Sequence, residues 1–478
     1  MKTKMVTSEA NIIRFWDKKG GKIAPEDLIS FLTEKGFGKM ESKYIDKVTF
    51  IQVKENNVVE IVDNKFIRDY CFRYIESFVF DTDDERKNVK NSFYINKNYF
   101  DTDNLSLINK IELDEIYDTK EESYLFFEDG MIRITKGLVD RLNYGDIEGH
   151  VLEESIIKRR LGGDTEAPGD FESFIRDISE HDIESQEESN YNSIRSIIGY
   201  MLHRYKNQAL AKAAVLYDPI RDGVVANGRT GKSLLCKALG EIRFLQQEDG
   251  KYFENEGRFR MANITYRHSI LQIDDVKQGF RFSDLFPFIS GDMRVEVKNG
   301  AKYGIKFERS PKLIITSNYQ LKKADEGSHK DRAVNFVLSD HFDGETKPDI
   351  EYGALFFDGW VDEKEEEWDK FYWFMISCIE YYLSNGLQKQ FSNNESREMQ
   401  MYPVFNNFID NEIKADIEYN TRDVLDMYNE SCVFEKDRLR QKGFMRLIRV
   451  YAGGSQYDMT ERHSGSIRYF KFSNDVDE

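Results

Sequence analysis

The stretch "VVANGRTGKSLLCKALG", residues 224–240, joins a glycine-containing loop ending in Gly-Lys-Ser to a helix-forming run. In a phosphate-binding loop (P-loop), backbone N–H groups at a helix N-terminus surround the phosphates, a lysine reaches the β- and γ-phosphates, and a Ser or Thr hydroxyl binds Mg²⁺. Lys232 and Ser233 occupy these two positions. Ala226 and Asn227 stand where the usual pattern has its first glycine, so a chance glycine-rich turn remains the alternative for the motif alone.

The residues on both sides of the loop favour nucleotide binding. AKAAVLYD, residues 211–218, is an apolar run typical of a buried strand, and LLCKALGEI, residues 234–242, predicts the required helix. We therefore predict a nucleotide-binding loop formed by Asn227, Gly228, Arg229, Thr230, Gly231, Lys232, Ser233 and Leu234. For Arg229, a solvated surface position is the alternative to phosphate contact.

Two later strands end in polar side chains. HSILQIDDV, residues 268–276, carries Asp274 and Asp275, and SPKLIITSN, residues 310–318, ends in Asn318. A strand-end carboxylate can hold the water shell of Mg²⁺, while its neighbour orients and deprotonates the attacking water. An amide can bind the γ-phosphate or that water. A solvated turn or a capping Asn is the alternative for each alone, but together with the P-loop they predict a site for ATP and Mg²⁺.

From residue 194 to 387 the chain resembles the superfamily 3 helicases, in the branch of the phage and plasmid primase-helicases. The resemblance rests on NGRTGKSLL, ILQIDDV, FSDLFPFISGDMRVEVKNGAKYGI, PKLIITSN and SHKDRAVNFVLSDHF, which occur in this order. It implies an AAA+-type α/β core that assembles as a hexameric ring around DNA and uses ATP to translocate 3′ to 5′. It also implies roles: Lys232 and Ser233 bind phosphate and Mg²⁺, Asp274 binds Mg²⁺, Asp275 is the catalytic carboxylate, and Asn318 is the sensor. Many relatives carry Glu in place of Asp275.

The resemblance adds a DNA contact and a trans-acting arginine. Alternation around Asn299-Gly300 predicts a β-hairpin with Lys298 and Lys302 near its tip. In the family such a hairpin grips the DNA backbone; an ordinary solvated hairpin is the alternative. Arg332 stands where relatives carry the arginine that reaches a neighbouring subunit's γ-phosphate, and Lys330 is the second candidate.

Residues 404–472 read as two helices, a third basic helix and two strands, the order of a winged helix. Between residues 436 and 471 the sequence contains nine Lys and Arg but only three acidic residues. We predict DNA contacts from Arg446 and Arg449 on the third helix and from Arg462 and Arg468 on the wing. Protein docking is the alternative use of such a domain.

The fold class that these patterns predict is α/β, with an AAA+-like P-loop ATPase core. We place an N-terminal α/β accessory domain at 1–125, a helical collar or linker at 126–190, the ATPase core with trailing helices at 191–395, and the winged helix at 396–478. Alternating runs on both sides of Glu55–Asn57 predict two paired strands in the first domain. A cluster of glycine, proline and acidic residues at 161–169 marks a boundary.

Composition indicates in which cellular compartment the protein works and which kinds of site it lacks. The chain of 478 residues has a formal net charge of −18 and no apolar run long enough to span a membrane. No secretory signal is recognisable, and its four cysteines are far apart, which argues against disulfides and structural zinc and favours a cytoplasm, that of a bacterial host. FVFDTD, residues 78–83, resembles a primase metal motif, but no histidine precedes His150. We therefore predict a separate primase or another replication protein as a partner.

The leading hypothesis is an ATP-dependent replicative DNA helicase of a phage or mobile element, acting on single-stranded or forked DNA. The alternative is an ATPase that remodels or sequesters replication proteins without unwinding DNA. The charge of −18 favours this alternative, because a strongly acidic protein is repelled by nucleic acid.

Overall fold

The computed structural model describes residues 13–42, 44–146, 148–164, 167–180, 187–218, 229–253, 257–277, 280–298, 302–318, 332–342, 346–390, 403–432, 438–454, 457–465 and 467–474. They divide into two compact units, of which the second is built mainly from residues after Gln388. Among these residues, no helix combines the length and apolar character that a membrane span needs.

The first unit begins with a mixed region. Its elements are α1 (Pro25–Glu34), β1 (Phe37–Ser42), β2 (Ile45–Val53), β3 (Val58–Val62), α2 (Asn64–Ser77), α3 (Asp83–Ile95), α4 (Thr102–Leu105), β4 (Lys110–Ile111), β5 (Ser123–Phe127), β6 (Gly130–Thr135), β7 (Leu138–Leu142), β8 (Val151–Leu152) and β9 (Ile156–Ile157). The predicted turn between β2 and β3 is confirmed: Asn56 and Asn57 have left-handed φ angles of 59° and 58°, which Asn tolerates better than most residues.

The chain continues with α5 (Asp170–Asp177), α6 (Glu187–Leu202), β10 (Ala213–Tyr217), α7 (Lys232–Ile242), β11 (Leu245–Asp249), β12 (Ile270–Val276), α8 (Phe286–Ser290), β13 (Met293–Glu296), β14 (Lys302–Ile305), β15 (Lys312–Ser317), β16 (Ala333–Val337), α9 (Pro348–Glu351), α10 (Trp360–Glu363) and α11 (Glu366–Asn385). All of these belong to the first unit except the part of α6 before Ile194. The helices and strands predicted around the P-loop are therefore present.

A five-stranded sheet with the order β11-β12-β15-β10-β16 forms the centre of this unit. Every pair of neighbouring strands is parallel. β10 and β15 are buried along their whole length, which explains their continuous apolar sequences. Parallel strands end at the same side, so we call the side with their last residues the carboxyl edge and the opposite side the amino edge. β15 lies between β10, which leads to the P-loop, and β12, which carries the Asp pair near its end.

Residues 123–157 differ from the predicted helical collar. They form strands β5 to β9, four of which make a sheet with the order β7-β6-β5-β9. Two short turns set this structure: Phe127 pairs with Gly130 across Glu128-Asp129, and Thr135 pairs with Leu138 across Lys136-Gly137. Gly130 and Gly137 have positive φ angles of 147° and 72°, and tight hairpins of this kind favour glycine. Among the described residues of the predicted collar, α-helix is found in α5 and the start of α6.

The predicted hairpin of β13 and β14 is confirmed, with Glu296 paired opposite Lys302. Its turn at Asn299-Gly300 lies outside the described residues. The hairpin belongs to a seven-stranded sheet, because Ile305 of β14 pairs with Ile45 of β2. The N-terminal strands and the hairpin therefore share backbone hydrogen bonds.

The acidic segment that resembled a primase motif starts a helix instead. The Thr82 hydroxyl accepts a hydrogen bond from the Glu85 N–H at 3.1 Å, and the Glu85 carboxylate accepts one from the Asp81 N–H at 3.3 Å. The first bond is the N-cap of α3, and the second is similar to that of a capping box except that Glu85 binds the N–H before the N-cap residue Thr82. Asp81 also pairs with Arg14 and Lys18, so these acidic residues have structural partners.

The second unit contains α12 (Pro403–Glu412), β17 (Glu418–Asn420), α13 (Thr421–Ser431), α14 (Gln441–Gly454), β18 (Tyr457–Ser464) and β19 (Ile467–Asn474). The three predicted helices and two predicted strands are present. β17, which the sequence did not indicate, completes a three-stranded antiparallel sheet with the order β17-β19-β18. The aromatic side chains Phe405, Tyr428, Phe444, Phe470 and Phe472 pack in its core.

Candidate functional site

The P-loop leads directly into α7 at the carboxyl edge of the central sheet. Gly231 caps this helix with a left-handed φ of 97°, and a Cβ atom there would lie 2.7 Å from the Phe174 ring. Both the backbone angle and the close approach require glycine. The first N–H groups of α7 have no partner within the helix, so this end can bind an anion. Asn227 and Gly228 lie outside the described residues.

The predicted phosphate-binding lysine has a protein partner that the sequence did not indicate. Lys232 is 8% exposed, and its Nζ donates to Oδ1 of Asp218, which is 5% exposed and follows β10 directly. The Thr230 hydroxyl donates to the same oxygen at 2.5 Å and lies 3.3 Å from Lys232 Nζ. One carboxylate oxygen therefore gathers both side chains at the base of the P-loop.

Asp274 and Asp275 lie where β12 ends, and Thr316 of β15 positions both. The Thr316 hydroxyl donates to Asp274 Oδ1 at 2.6 Å and accepts from the Asp275 N–H at 2.8 Å. The pairing of β12 with β15 shifts register between Ile273 and Val276, and Asp275 has a left-handed φ of 50°. Asp adopts this backbone region more readily than Glu, which gives a conformational reason for the shorter side chain.

Asn318 reaches the second aspartate, as the order of the strands allows. Its amide Nδ2 donates to Asp275 Oδ1 at 3.2 Å. Lys251 Nζ lies 2.6 Å from Asp275 Oδ2, and this hydrogen bond raises the pKa of Lys251. Asp275 thus has one partner on each carboxylate oxygen, and both hold the carboxylate in place.

Except for Asp218 and Lys251, these side chains line one cavity of about 590 Å³, a volume typical of small-molecule sites. The lining residues are Arg229, Thr230, Gly231, Lys232, Ser233, Leu234, Lys237, Asp274, Asp275, Thr316, Asn318, Pro348, Asp349, Leu355, Phe356 and Asp358. One part of the wall thus offers cations, hydroxyls and carboxylates, while Pro348, Leu355 and Phe356 add apolar surface. The oxygen atoms of Ser233 and Asp274 are of the type that Mg²⁺ prefers, so the donor set fits that metal.

Arg332 lies at the opposite edge of the sheet from this cavity. It precedes Ala333, which pairs with Ala213, the first residue of β10, whereas the P-loop follows the last residue of β10. Its guanidinium lies 4.8 Å from the centre of the Phe286 ring. The structure therefore does not bring Arg332 to the cavity of its own chain. Lys330 lies outside the described residues.

Most of the predicted DNA-binding cations that the structure describes have acidic partners. Lys302 Nζ lies 3.1 Å from Glu296. In the second unit, Arg449 on α14 bonds Glu461 at 2.6 Å, and Arg462 on β18 bonds Glu418 at 2.7 Å. Arg468 lies 3.8 Å from Glu461. The local excess of positive charge is thus partly neutralised. Lys298 is the last described residue before the turn of the hairpin. Arg446 lies on α14, but its side chain is outside the described part of the structure.

A second group of charges lies buried at the amino edge of the central sheet. Asp118 accepts hydrogen bonds from the Ser123 hydroxyl at 2.8 Å and from the N–H groups of Tyr124 and Arg204 at 3.0 and 2.7 Å. Arg243 lies 3.4 Å from the same carboxylate. Burial alone would raise the pKa of Asp118, but the guanidinium groups of Arg243 and Arg204 lower it to about 2.

The cations of this group also donate hydrogen bonds to the carbonyl groups at the C-terminal end of α6. Lys312 Nζ donates to the carbonyl oxygens of Tyr200 and His203, and Arg243 Nε donates to that of Leu202 at 2.8 Å. The last carbonyl groups of a helix have no partner within it. These buried cations supply one, and burial lowers the pKa of Lys312 well below its usual value.

Three residues of the site escaped the sequence-based prediction: Asp218, Thr316 and Lys251. Asp218 and Thr316 gave the same signal as Asn318, a polar side chain at the end of an apolar strand. Lys251 gave none, because its contact with Asp275 depends on how β11 lies beside β12.

The chain matches no protein-family model and no curated protein. Among solved structures, it is similar to the apo C-terminal region of NrS-1, with 12% identity over 93% of this chain and 98% of that one and a TM-score of 0.40. It is also similar to JCV helicase, with 13% identity over 47% of this chain and 56% of that one and a TM-score of 0.25. Both likenesses are distant, and the chemistry of the cavity rests on its own residues.

Proposed function

We propose that this chain is an ATP-dependent DNA helicase that uses Mg²⁺ and acts as a ring of identical subunits. The observation that carries the proposal is the single cavity into which Lys232, Ser233, Asp274, Asp275 and Asn318 converge. These residues come from three separate segments of the chain, and each is of the type that ATP hydrolysis requires at its position.

The side chains divide the work of hydrolysis between them. Lys232 and the N–H groups at the start of α7 bind the phosphates, while Ser233 and Asp274 hold Mg²⁺, which neutralises charge on the phosphate oxygens. Asp275 orients the attacking water and accepts its proton. Asn318 and Lys251, which bond the two oxygens of Asp275, keep the carboxylate in position. The apolar surface of Leu355 and Phe356 offers a place for the base.

The position of Arg332 supports assembly. At the amino edge it is about 17 Å from the end of β10, given five strand residues at roughly 3.3 Å each. An arginine at that distance can serve only the cavity of a neighbouring subunit. A trans arginine stabilises charge in the transition state and makes hydrolysis depend on assembly. This supports the hexameric ring that the motif order implies.

Two features support DNA as the substrate. The β13–β14 hairpin carries Lys298 and Lys302 towards its turn, and lysine contacts to phosphate are independent of sequence and weaken with salt. The second unit has the helix and strand order of a winged helix. With the resemblance of the motifs, these favour a replicative helicase of a phage or mobile element that moves 3′ to 5′ beside a separate primase in a bacterial cytoplasm.

A second candidate function is an ATPase that remodels or sequesters replication proteins. Two observations favour it: the net charge of −18, and the acidic partners of Arg449, Arg462 and Arg468. Arginines that are already paired have less charge to offer to DNA.

Forked DNA with either a 3′ or a 5′ tail separates the candidates. With ATP and Mg²⁺, the wild type should separate the strands of the 3′-tailed fork, and Lys232→Ala should not. The absence of strand separation at every concentration at which rings form would rule out a helicase. ATP hydrolysis that is unchanged by DNA would favour the remodelling ATPase, and the absence of hydrolysis would contradict both.

A further inference from the structure

The buried pair of Asp218 and Lys232 does more than fill the base of the P-loop. We infer that Asp218 is a built-in anion that competes with nucleotide phosphates for Lys232, weakening the binding of ATP and ADP and speeding the release of product. This inference rests on the proposed nucleotide site. It adds a residue that sets how tightly the site holds its nucleotide.

The contacts show that Asp218 occupies the lysine as a phosphate would. Its Oδ1 accepts hydrogen bonds from Lys232 Nζ and from the Thr230 hydroxyl. Its Oδ2 is buried and has no hydrogen-bond partner among the described residues. The backbone at Asp218 is held beside the P-loop because Asp218 directly follows β10, where the Tyr217 carbonyl accepts from the Leu338 N–H at 3.0 Å. Asp218 therefore cannot move far from the P-loop when nucleotide enters.

Charge makes this arrangement costly for a bound nucleotide. The P-loop lysine reaches the β- and γ-phosphates, which would bring those anions close to the Asp218 carboxylate around a single cation. Repulsion between like charges is stronger at a buried site than in water. Lys232 has three N–H donors, but sharing them between a carboxylate and a phosphate leaves fewer for the nucleotide. Each release of ADP returns the lysine to Asp218, which favours the empty state.

Asp218→Asn tests the inference, because it removes the charge and keeps an oxygen that accepts from Thr230 and Lys232. Calorimetric titration with Mg-ATP, Mg-ADP and AMP measures the dissociation constants. The variant should bind ATP and ADP about tenfold more tightly, and AMP no more than about twofold more tightly, because AMP lacks the phosphates that Lys232 reaches. Stopped-flow release of a fluorescent ADP should slow by about tenfold.

The matched control is Asp140→Asn. Asp140 also accepts hydrogen bonds from a cation, Arg133 at 2.6 Å, but it lies on β7, which contributes no residue to the cavity. Asp140→Asn should bind each nucleotide with the affinity of the wild type. Its midpoint of thermal unfolding measures the effect of losing one ion pair on stability. If Asp218→Asn lowers the midpoint far more than the control does, Asp218→Ser provides a second test of affinity with the same expected direction.

The outcomes separate this inference from the proposed function. If the wild type binds ATP, Lys232→Ala does not, and the Asp218 variants bind ATP equally or more weakly than the wild type, then Asp218 is not a competitor and the inference is overturned while the nucleotide site stands. An equal gain in affinity for ATP and AMP would also overturn it. Competition for Lys232 affects only the phosphates that AMP lacks, so an equal gain would have to come from a structural change elsewhere in the site. If the wild type binds no nucleotide, the proposed function fails first.

Discussion

The two edges of the central sheet both contain buried charges, but they use them differently. At the amino edge, Asp118 bonds Arg204 and Arg243, while Arg243 and Lys312 bond the carbonyl groups at the end of α6. At the carboxyl edge, Lys232, Asp274 and Asp275 face a cavity. Charges whose partners are all protein atoms stabilise the fold, whereas charges that converge on open space are available for a ligand.

Perturbed pKa values alone would have pointed to the wrong edge. At the amino edge, burial lowers the pKa of His203 to about 4 and that of Lys206 to about 7. Such shifts often mark functional sites, but structural ion networks produce them too. Lys206 Nζ donates to the Ser310 hydroxyl at 2.6 Å, so it has a protein partner rather than a substrate. The size of the cavity distinguishes the two edges better than titration does, because the cavity that Arg204 and Arg243 line at the amino edge has about 40 Å³ and the one at the carboxyl edge about 590 Å³.

The largest expected effect is on stability, at the amino edge. Asp118→Ala leaves Arg243 buried without its carboxylate and leaves Arg204 with Glu115, 3.7 Å away, as its remaining one. Breaking a buried ion pair on one side costs about 3–5 kcal/mol. Urea denaturation should show this loss in the unfolding free energy. Asp140→Ala, which breaks a partly exposed pair with Arg133, should cost at most about 1 kcal/mol. A loss for Asp118→Ala no larger than that of its control would erase the contrast between the edges.

His203 should make the stability of the first unit depend on pH. Its Nε2–H donates to the Thr119 carbonyl at 2.8 Å, and burial lowers its pKa from 6.5 to about 4. The pKa of His203 is lower in the folded state than in the unfolded state. Its contribution to the free energy of unfolding is therefore complete above the unfolded-state pKa and is lost as the pH falls through about 4. The full loss is about 3 kcal/mol, at 1.36 kcal/mol per pKa unit.

Urea denaturation between about pH 7 and pH 4 measures this effect as the difference between the wild type and His203→Gln. The glutamine keeps a donor for the Thr119 carbonyl but takes up no proton, so the variant should lose less stability in acid. Parallel pH profiles for the two proteins would show that His203 is protonated as readily in the folded state as in the unfolded state.

At the carboxyl edge, Asp274→Asn should impair chemistry and leave stability almost unchanged. Losing a ligand of Mg²⁺ should lower the rate of ATP hydrolysis by about 100-fold, measured as phosphate release at saturating ATP. The matched control is Asp249→Asn, because Asp249 pairs with Asp274 in the sheet but lies outside the cavity lining. If the two variants hydrolysed ATP at similar rates, Asp274 would not be a ligand of Mg²⁺.

Asn318→Ala should have a smaller effect, confined to turnover. The amide holds one oxygen of Asp275 while Lys251 holds the other, so its loss loosens the carboxylate without removing it. We expect kcat to fall by about tenfold and KM for ATP to change by less than about twofold. Asn263→Ala, whose amide bonds Glu248 away from the cavity, is the control. A change in KM alone would give Asn318 a role in binding instead.

The smallest expected effect concerns DNA. Lys298→Ala should weaken DNA binding by about threefold and reduce the slope of log K against log salt by about 1. Lys302→Ala should have less effect, because Glu296 already shares its charge. Fluorescence anisotropy at several salt concentrations measures both. An unchanged slope for Lys298→Ala would mean that this lysine contacts no DNA phosphate.

The sequence predicted which strands and side chains meet at the cavity better than it predicted their surroundings. Apolar runs that end in polar residues correctly located β10, β12 and β15, and the meeting of parallel strands at one edge explains why Asn318 reaches Asp275. The contact between Asp218 and Lys232 was not predictable, because it depends on the path of the chain between two positions fourteen residues apart. The wall formed by Leu355 and Phe356 depends equally on tertiary folding.

The predicted helical collar shows a different kind of failure. Residues 123–142 contain short strands separated by Glu128-Asp129, which Gly130 follows directly, and by Lys136-Gly137. The Asp-Gly pair is a strong local hairpin signal, so this part of the fold could have been predicted from the sequence. The third strand of the second unit could not, because β17 has only three residues and forms by pairing with β19.

The pairing of β14 with β2 limits how the chain can be shortened. A truncated protein that begins after β4 would keep the cavity residues but lose the strand that pairs with Ile305. The unpaired N–H and C=O groups of β14 would then form an exposed sheet edge, which promotes association between chains. Activity measured on such a fragment would therefore combine the loss of the N-terminal region with aggregation, and point variants in the full chain avoid that ambiguity.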